Sequence, residues 1–290
     1  MNLLNKILIG FSVVLMVSSC SKLEDTIAPP VPELVTHKDG NIDPQSPDFH
    51  GNIIRLNNWN MNDCVQCHGG DYTGGLVSVT CFTCHTEPAG PEACNTCHGD
   101  FDNVNIIAPP QDTNNNTDTE IAGVGAHQVH MYDNDLGSTI ECTTCHIVPG
   151  EFEDVGHIDT TPGAEINFNN LAVHNIASNP NYNSGSATCS NTYCHGNFEY
   201  LKDNAPDNHK FAYEDGADRM VGNNQSVVWN DVGGSQAECG SCHGLPPIGH
   251  RQDYTRTSCG TCHSGIFDKD GNLVDSLSYK HINGEIDVNF

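Results

Sequence analysis

Gly, Asn, Asp, Thr and Pro interrupt the apolar positions of this chain so often that long amphipathic helices and a conventional sheet core are undersupplied. Three patterns stand out. An apolar stretch runs from Ile7 to Val17, directly after Lys6. The segment Ala126 to Tyr132 predicts one longer helix. Near the C-terminus, Ile266-Phe267 and Leu273-Val274 flank Asp268-Lys269-Asp270-Gly271-Asn272 and predict a β-hairpin. That turn begins like a calcium loop, but Tyr279 stands where a bidentate Glu belongs, so a plain turn is expected. The fold class expected is mostly irregular, with little secondary structure and short helices.

The apolar stretch is too short to span a bilayer, and it ends in Leu15-Met16-Val17-Ser18-Ser19-Cys20. Small residues before a cysteine predict a bacterial lipoprotein signal. Residues 1–19 would be removed and Cys20 would carry the lipid anchor. Residues 20–55, with the Pro-rich run Ala28-Pro29-Pro30-Val31-Pro32, then read as a flexible tether. The expected location is the outer membrane, on the periplasmic or cell-surface face.

Composition sharpens the picture, because only 37% of residues are hydrophobic and 7% aromatic. Something other than side chains must fill the interior. The formal charge is −26, and loss of Lys6 with the signal makes it one unit more negative. Nucleic acid is therefore excluded as a partner. The charge fits a solvated, highly exposed surface, or steering toward cationic redox partners and metal ions.

Fifteen cysteines supply the chemistry. Six copies of C-x-x-C-H pair Cys64 with Cys67, Cys81 with Cys84, Cys94 with Cys97, Cys142 with Cys145, Cys239 with Cys242, and Cys259 with Cys262. A seventh site is longer, Cys189-Ser190-Asn191-Thr192-Tyr193-Cys194-His195. These use every cysteine except Cys20. Cysteines three apart on a helical turn share a face and can each take a thioether bond from a haem vinyl group, with the following histidine beneath the iron. The longer site must loop out Asn191, Thr192 or their neighbours. Zinc would want paired half-sites, yet each motif carries its own histidine and the spacing varies from 13 (Cys81 to Cys94) to 50 residues (Cys189 to Cys239). The cofactor expected is covalently bound haem c, about seven copies, with His68, His85, His98, His146, His195, His243 and His263 as proximal iron ligands.

Sixteen histidines are present, and seven proximal ligands leave His37, His50, His127, His130, His157, His174, His209, His250 and His281. Seven haems need seven distal ligands, so bis-histidine ligation accounts for most of this surplus. His37, in the tether, and His209, in Asp207-Asn208-His209-Lys210, are set aside as surface residues. The distal candidates are His50, His127, His130, His157, His174, His250 and His281. Met61, Met131 and Met220 could serve instead but are read as packing residues.

The motifs divide residues 56–290 into a dense three-motif segment (56–104), a polar connector (105–124) and a four-motif segment (125–290). Composition would make the connector a domain boundary. Ligand supply argues otherwise, because only His37 and His50 precede it while three haems need distal partners. His127 and His130, three apart, are the residues expected to reach back across it and stitch one heptahaem unit.

The chain resembles the C-x4-C-H/C-x2-C-H multihaem c-type cytochrome lipoproteins of metal-reducing and related bacteria. The resemblance rests on Ala108-Pro109-Pro110, Gly125 to His130, Cys142 to His146 with Val148-Pro149, Gly156-His157, Thr188 to Gly196, Cys239 to Pro247 with Gly249-His250, and His281 to Gly284. It covers roughly residues 60–290; the connector is Asn-rich where the family has a more basic version. It implies a haem-packed electron carrier whose haems form a continuous chain, and supports His127, His130, His157, His250 and His281 as ligand positions. Electron transfer rather than enzymatic acid–base work is expected, with other envelope redox proteins or cytochromes as partners and an extracellular metal or other acceptor beyond them. The alternatives are a multihaem reductase with an open iron and a subunit of a haem-lined extracellular filament. The absence of any C-x-x-C-K site speaks against the reductase.

Overall fold

The computed structural model describes residues 37–132, 134–159, 163–233 and 235–288. The signal sequence, Cys20 and the tether as far as residue 36 lie outside the described residues. No helix among the described residues is long and apolar enough to cross a membrane. The chain divides into two units at Ile53/Ile54.

In the first unit, Lys38 pairs with Asp48 and successive turns lead into helix α1 (His50–Leu56). The second unit opens with α2 (Asn62–His68), followed by α3 (Cys94–Cys97), α4 (His127–Met131) and α5 (Cys259–Cys262). Isolated 3-10 turns fill much of the remainder. Helices of four to seven residues make few internal hydrogen bonds, so their stability comes from what they pack against.

Two small sheets, which the sequence pattern does not announce, lie between the fourth and sixth motifs. One orders β1 (Asn181–Asn183), β2 (Thr188–Ser190) and β5 (Val227–Val228), all antiparallel. Its hairpin turns because Asn183 Oδ1 accepts from the backbone of Gly185 at 2.9 Å, a local bond that favours reversal over extension. The other pairs β3 (Glu199–Leu201) with β4 (Arg219–Val221), with Arg219 reaching Glu199 across the strands. The expected C-terminal hairpin reduces to one antiparallel bridge, Phe267 to Leu273, around a turn held by Asp268.

The buried apolar residues are few: Met61, Ala108, Val124, Ala126, Ala172, Tyr193, Tyr213, Val227 and Ile266. Two of them, Ala108 and Val124, belong to the polar connector. Tyr132 holds the connector to α4 by accepting from the backbone of Ile107 and Ala108, and Gln128 donates to the Ala108 carbonyl at 3.0 Å. The Asn-rich stretch is thus an ordered loop, in which Asp112 accepts from Asn114 and Asn116.

Candidate haem-attachment sites

The six C-x-x-C-H motifs adopt three backbone forms. In α2, Cys64, Cys67 and His68 share one short helix, and the chain folds straight back so that the amide of Leu76 bonds the Cys67 carbonyl. Helices α3 and α5 hold the third and seventh pairs; α5 is entered through a capping box of Thr255 and Ser258. The second and fourth motifs use 3-10 turns at Cys81–Thr83 and Cys142–Thr144. The sixth, Cys239 to His243, is a non-helical turn, where the spacing had predicted a short helix.

The longer site, fifth in chain order, has its own construction. Cys189 sits on β2, Asn191 takes a left-handed φ of 60°, and Cys194 and His195 follow on a 3-10 turn (Tyr193–His195). Asn191 and Thr192 are the looped-out residues. Asn197, only 2% exposed, braces the loop by donating to the carbonyls of Ser178 and Asn191. Gly196 (φ 89°) touches the Cys242 carbonyl so closely that a Cβ would lie 1.9 Å from it. The backbone of Asn223 to Gln225 then bonds Cys242, Gly196 and His195 in turn, so this site and the sixth form one packed pair.

None of the fourteen motif cysteines is paired in a disulfide. Burial pushes the thiols of Cys97, Cys145 and Cys189 up to about 11 and that of Cys194 up to about 12, so these positions favour an uncharged sulfur. Among the described residues no group of three or more His, Cys, Asp and Glu side chains could hold a metal ion. A structural zinc needs four such ligands converging. The donor set fits paired thioether attachment with an axial histidine.

The histidines carry a second pattern. Nδ1 is bonded to a backbone carbonyl in His68 (Val79), His98 (Ile107), His146 (Glu165), His243 (Gly244) and His263 (Asp287). The same holds for the distal candidates His50 (Asn41), His127 (Val124), His130 (Ala126), His157 (Phe152), His250 (Arg251) and His281 (Leu136). A donating Nδ1 fixes the tautomer and leaves the Nε2 lone pair for a metal. Burial also holds His127 and His195 at about 4 and moves His130, His263 and His281 downward, so these rings stay neutral.

Three pairs of these rings face each other. His127 and His146 have centroids 6.3 Å apart at 22°, His130 and His195 6.2 Å apart at 72°, and His243 and His281 6.2 Å apart at 76°. Two imidazoles on one iron stand at roughly 6 Å, from about 2 Å of metal–nitrogen bond and about 1 Å from nitrogen to ring centre on each side. In each pair one member is a motif histidine and the other a distal candidate. His250 is the electrostatic neighbour of His263.

Other candidates sit differently. His174 packs against Tyr193, and its Nε2 accepts from the Asn175 amide at 3.1 Å. His85 lies edge-on to Phe101 at 5.4 Å. His127 and His130 pair with rings on their own side of the connector, while His98, on its far side, is an electrostatic neighbour of His127. Ring partners depend on how the chain returns, which residue order alone does not fix. The segment that does approach the first motifs is 151–157: Glu153 acts on Tyr72, whose hydroxyl is raised by burial and by Glu92 as well. His157 ends that segment. Trp229, which motif reasoning passes over, contacts both His127 and His130.

Residues 188–243 match the family described as the Geobacter CxxxxCH...CXXCH motif. That span runs from the extended site to the sixth motif, the pair joined through Gly196 and Cys242. Motifs of this kind indicate covalently bound haem c and electron transfer. No curated protein and no solved structure shows a significant match to the chain.

Proposed function

We propose that the chain is a heptahaem electron carrier of the bacterial envelope in which every iron is closed by two histidines. The observation that carries this reading is the set of three ring pairs at 6.2–6.3 Å, in which every ring but His195 has its Nδ1 tied to a backbone carbonyl. Haem c, when bound, supplies one-electron chemistry at low potential. The residues of the chain attach it, hold the axial rings neutral and oriented, and keep water and substrates from the iron. On this reading His127 serves the Cys142 site, His130 the Cys189 site, His281 the Cys239 site and His250 the Cys259 site. His157 ends the segment that approaches the first motifs, and His50 and His174 are left without an assigned iron. A reductase would need a motif histidine facing an open position, and three of the seven already face a second ring.

The lipid anchor at Cys20, an outer-membrane location and other envelope cytochromes as partners complete the proposal, supported by the signal pattern that ends at Cys20. Intact-mass measurement of the purified protein is expected to give seven haems and a lipidated N-terminus. Six haems would leave the extended site empty. Replacing His281 by alanine is expected to turn one haem high-spin and carbon monoxide-binding, with the others unchanged; an all-low-spin variant would remove His281 from the ligand set.

A further inference from the structure

We infer that Trp229 is a positioning residue that sets the imidazole planes of two neighbouring distal ligands at once, His127 and His130. The inference rests on the ligand roles proposed above. Trp229 follows β5 directly and is held at two points. Its backbone amide bonds the Ala187 carbonyl at 2.6 Å, and its indole N–H bonds the Ala122 carbonyl at 2.8 Å. The next residue, Asn230, donates to Glu120 at 2.6 Å, so the strand end is pinned along the connector.

The indole meets the two rings in different ways. It is edge-on to His127 (4.8 Å, 87°) and face-on to His130 (5.5 Å, 22°). Gly125, with φ +44°, makes room: a Cβ there would lie 2.0 Å from the indole nitrogen. A side chain at position 125 and this indole therefore exclude one another. The Nδ1 bonds to Val124 and Ala126 fix the tautomer of each histidine but leave rotation about the N–H···O direction. A rigid indole edge on one ring and face on the other removes that freedom. The consequence is that the pairs on either side of Trp229 are set at 22° and 72°.

Ring angle is legible in low-spin ferric haem. Near-parallel imidazoles donate into the same iron d orbital and split the dxz and dyz levels, giving a rhombic paramagnetic resonance spectrum. Near-perpendicular rings leave the two levels close, giving a large-gmax signal. The experiment compares the spectra of full-length holoprotein with those of W229A, W229F, H127A and H130A, with haem count by mass for each. H127A and H130A identify the two signals by turning each haem high-spin; if neither does, the ligand assignment fails and not the role of Trp229. With those signals identified, W229A is expected to retain all haems and shift or broaden those two alone. W229F, which keeps an aromatic face but no N–H, is expected to restore the His130 signal more than the His127 signal. Unchanged spectra in W229A, or an equal change in every signal in both W229A and W229F, would overturn the assignment.

Discussion

Protein exported without haem attachment is expected to show no cooperative unfolding transition and poorly dispersed amide resonances. The reason lies in what the chain can bury by itself. Among the described residues nine apolar side chains are buried, and only Val124 is less than 2% exposed. Leu56, Leu76, Ile147 and Val155 stand largely exposed, at 73% or more. Ordering a residue costs about 1 kcal/mol or more of backbone entropy, and a core of this size cannot offset that over the described chain. Haem faces packed between the motifs supply the missing apolar contact, and the thioether and axial bonds act as cross-links. Replacing one cysteine pair in an otherwise complete protein is expected to loosen the segment around that motif. For the Cys189 and Cys194 pair this includes β2 with its partner β5, and the segment Asn223 to Gln225 that bonds Gly196 and His195. Calorimetry and hydrogen exchange on the haem-free chain check this; a sharp heat-absorption peak would contradict it.

The attachment chemistry was legible in the sequence because covalent haem binding uses contiguous residues, and fourteen cysteines in seven motifs leave little else to explain. The looped-out Asn191 follows from the same local logic, since the longer spacing has to be absorbed near the cysteines and Asn tolerates a left-handed φ. The helix at His127 to Met131 also follows from local pattern. Partnership across space does not. His130 stands six residues past Val124 but finds His195, and His281 reaches the loop at Leu136, over separations that no periodicity encodes. Strands of two or three residues are too short to show alternation, which is why β1 to β5 went unannounced. Trp229 carried one faint signal, as one of two tryptophans in a chain with 7% aromatic residues.

The haem at the extended site is expected to have a more positive potential than those on His146 and His243, by tens of millivolts. His146 and His243 donate from Nδ1 to the carbonyls of Glu165 and Gly244, at 2.9 and 2.7 Å. Such a bond pushes electron density onto the ring, makes it a stronger ligand and favours ferric iron. His195 Nδ1 is buried and has no hydrogen-bond partner among the described residues. Thr192 Oγ1 and Gln225 Oε1, on the residues that bracket it through backbone bonds, are likewise buried without partners, so neither supplies the acceptor. His195 is thus the weaker donor. Deep burial works in the same direction, because ferric haem carries one more positive charge than ferrous and is disfavoured where water is excluded. A hydrogen bond is worth about 1 kcal/mol net, and a tenfold change in a one-electron equilibrium is about 59 mV, which sets the size of the effect. Resonance-monitored redox titration of the holoprotein provides the check. The His130–His195 and His243–His281 pairs, both near-perpendicular, give large-gmax signals, and H130A identifies the one belonging to His195. That signal should disappear first as the potential is lowered, ahead of the other large-gmax signal and of the rhombic signal from the 22° pair. If it disappears last, the unpartnered Nδ1 does not govern the potential, and electrons entering from the C-terminal motifs have no preferred resting place at this site.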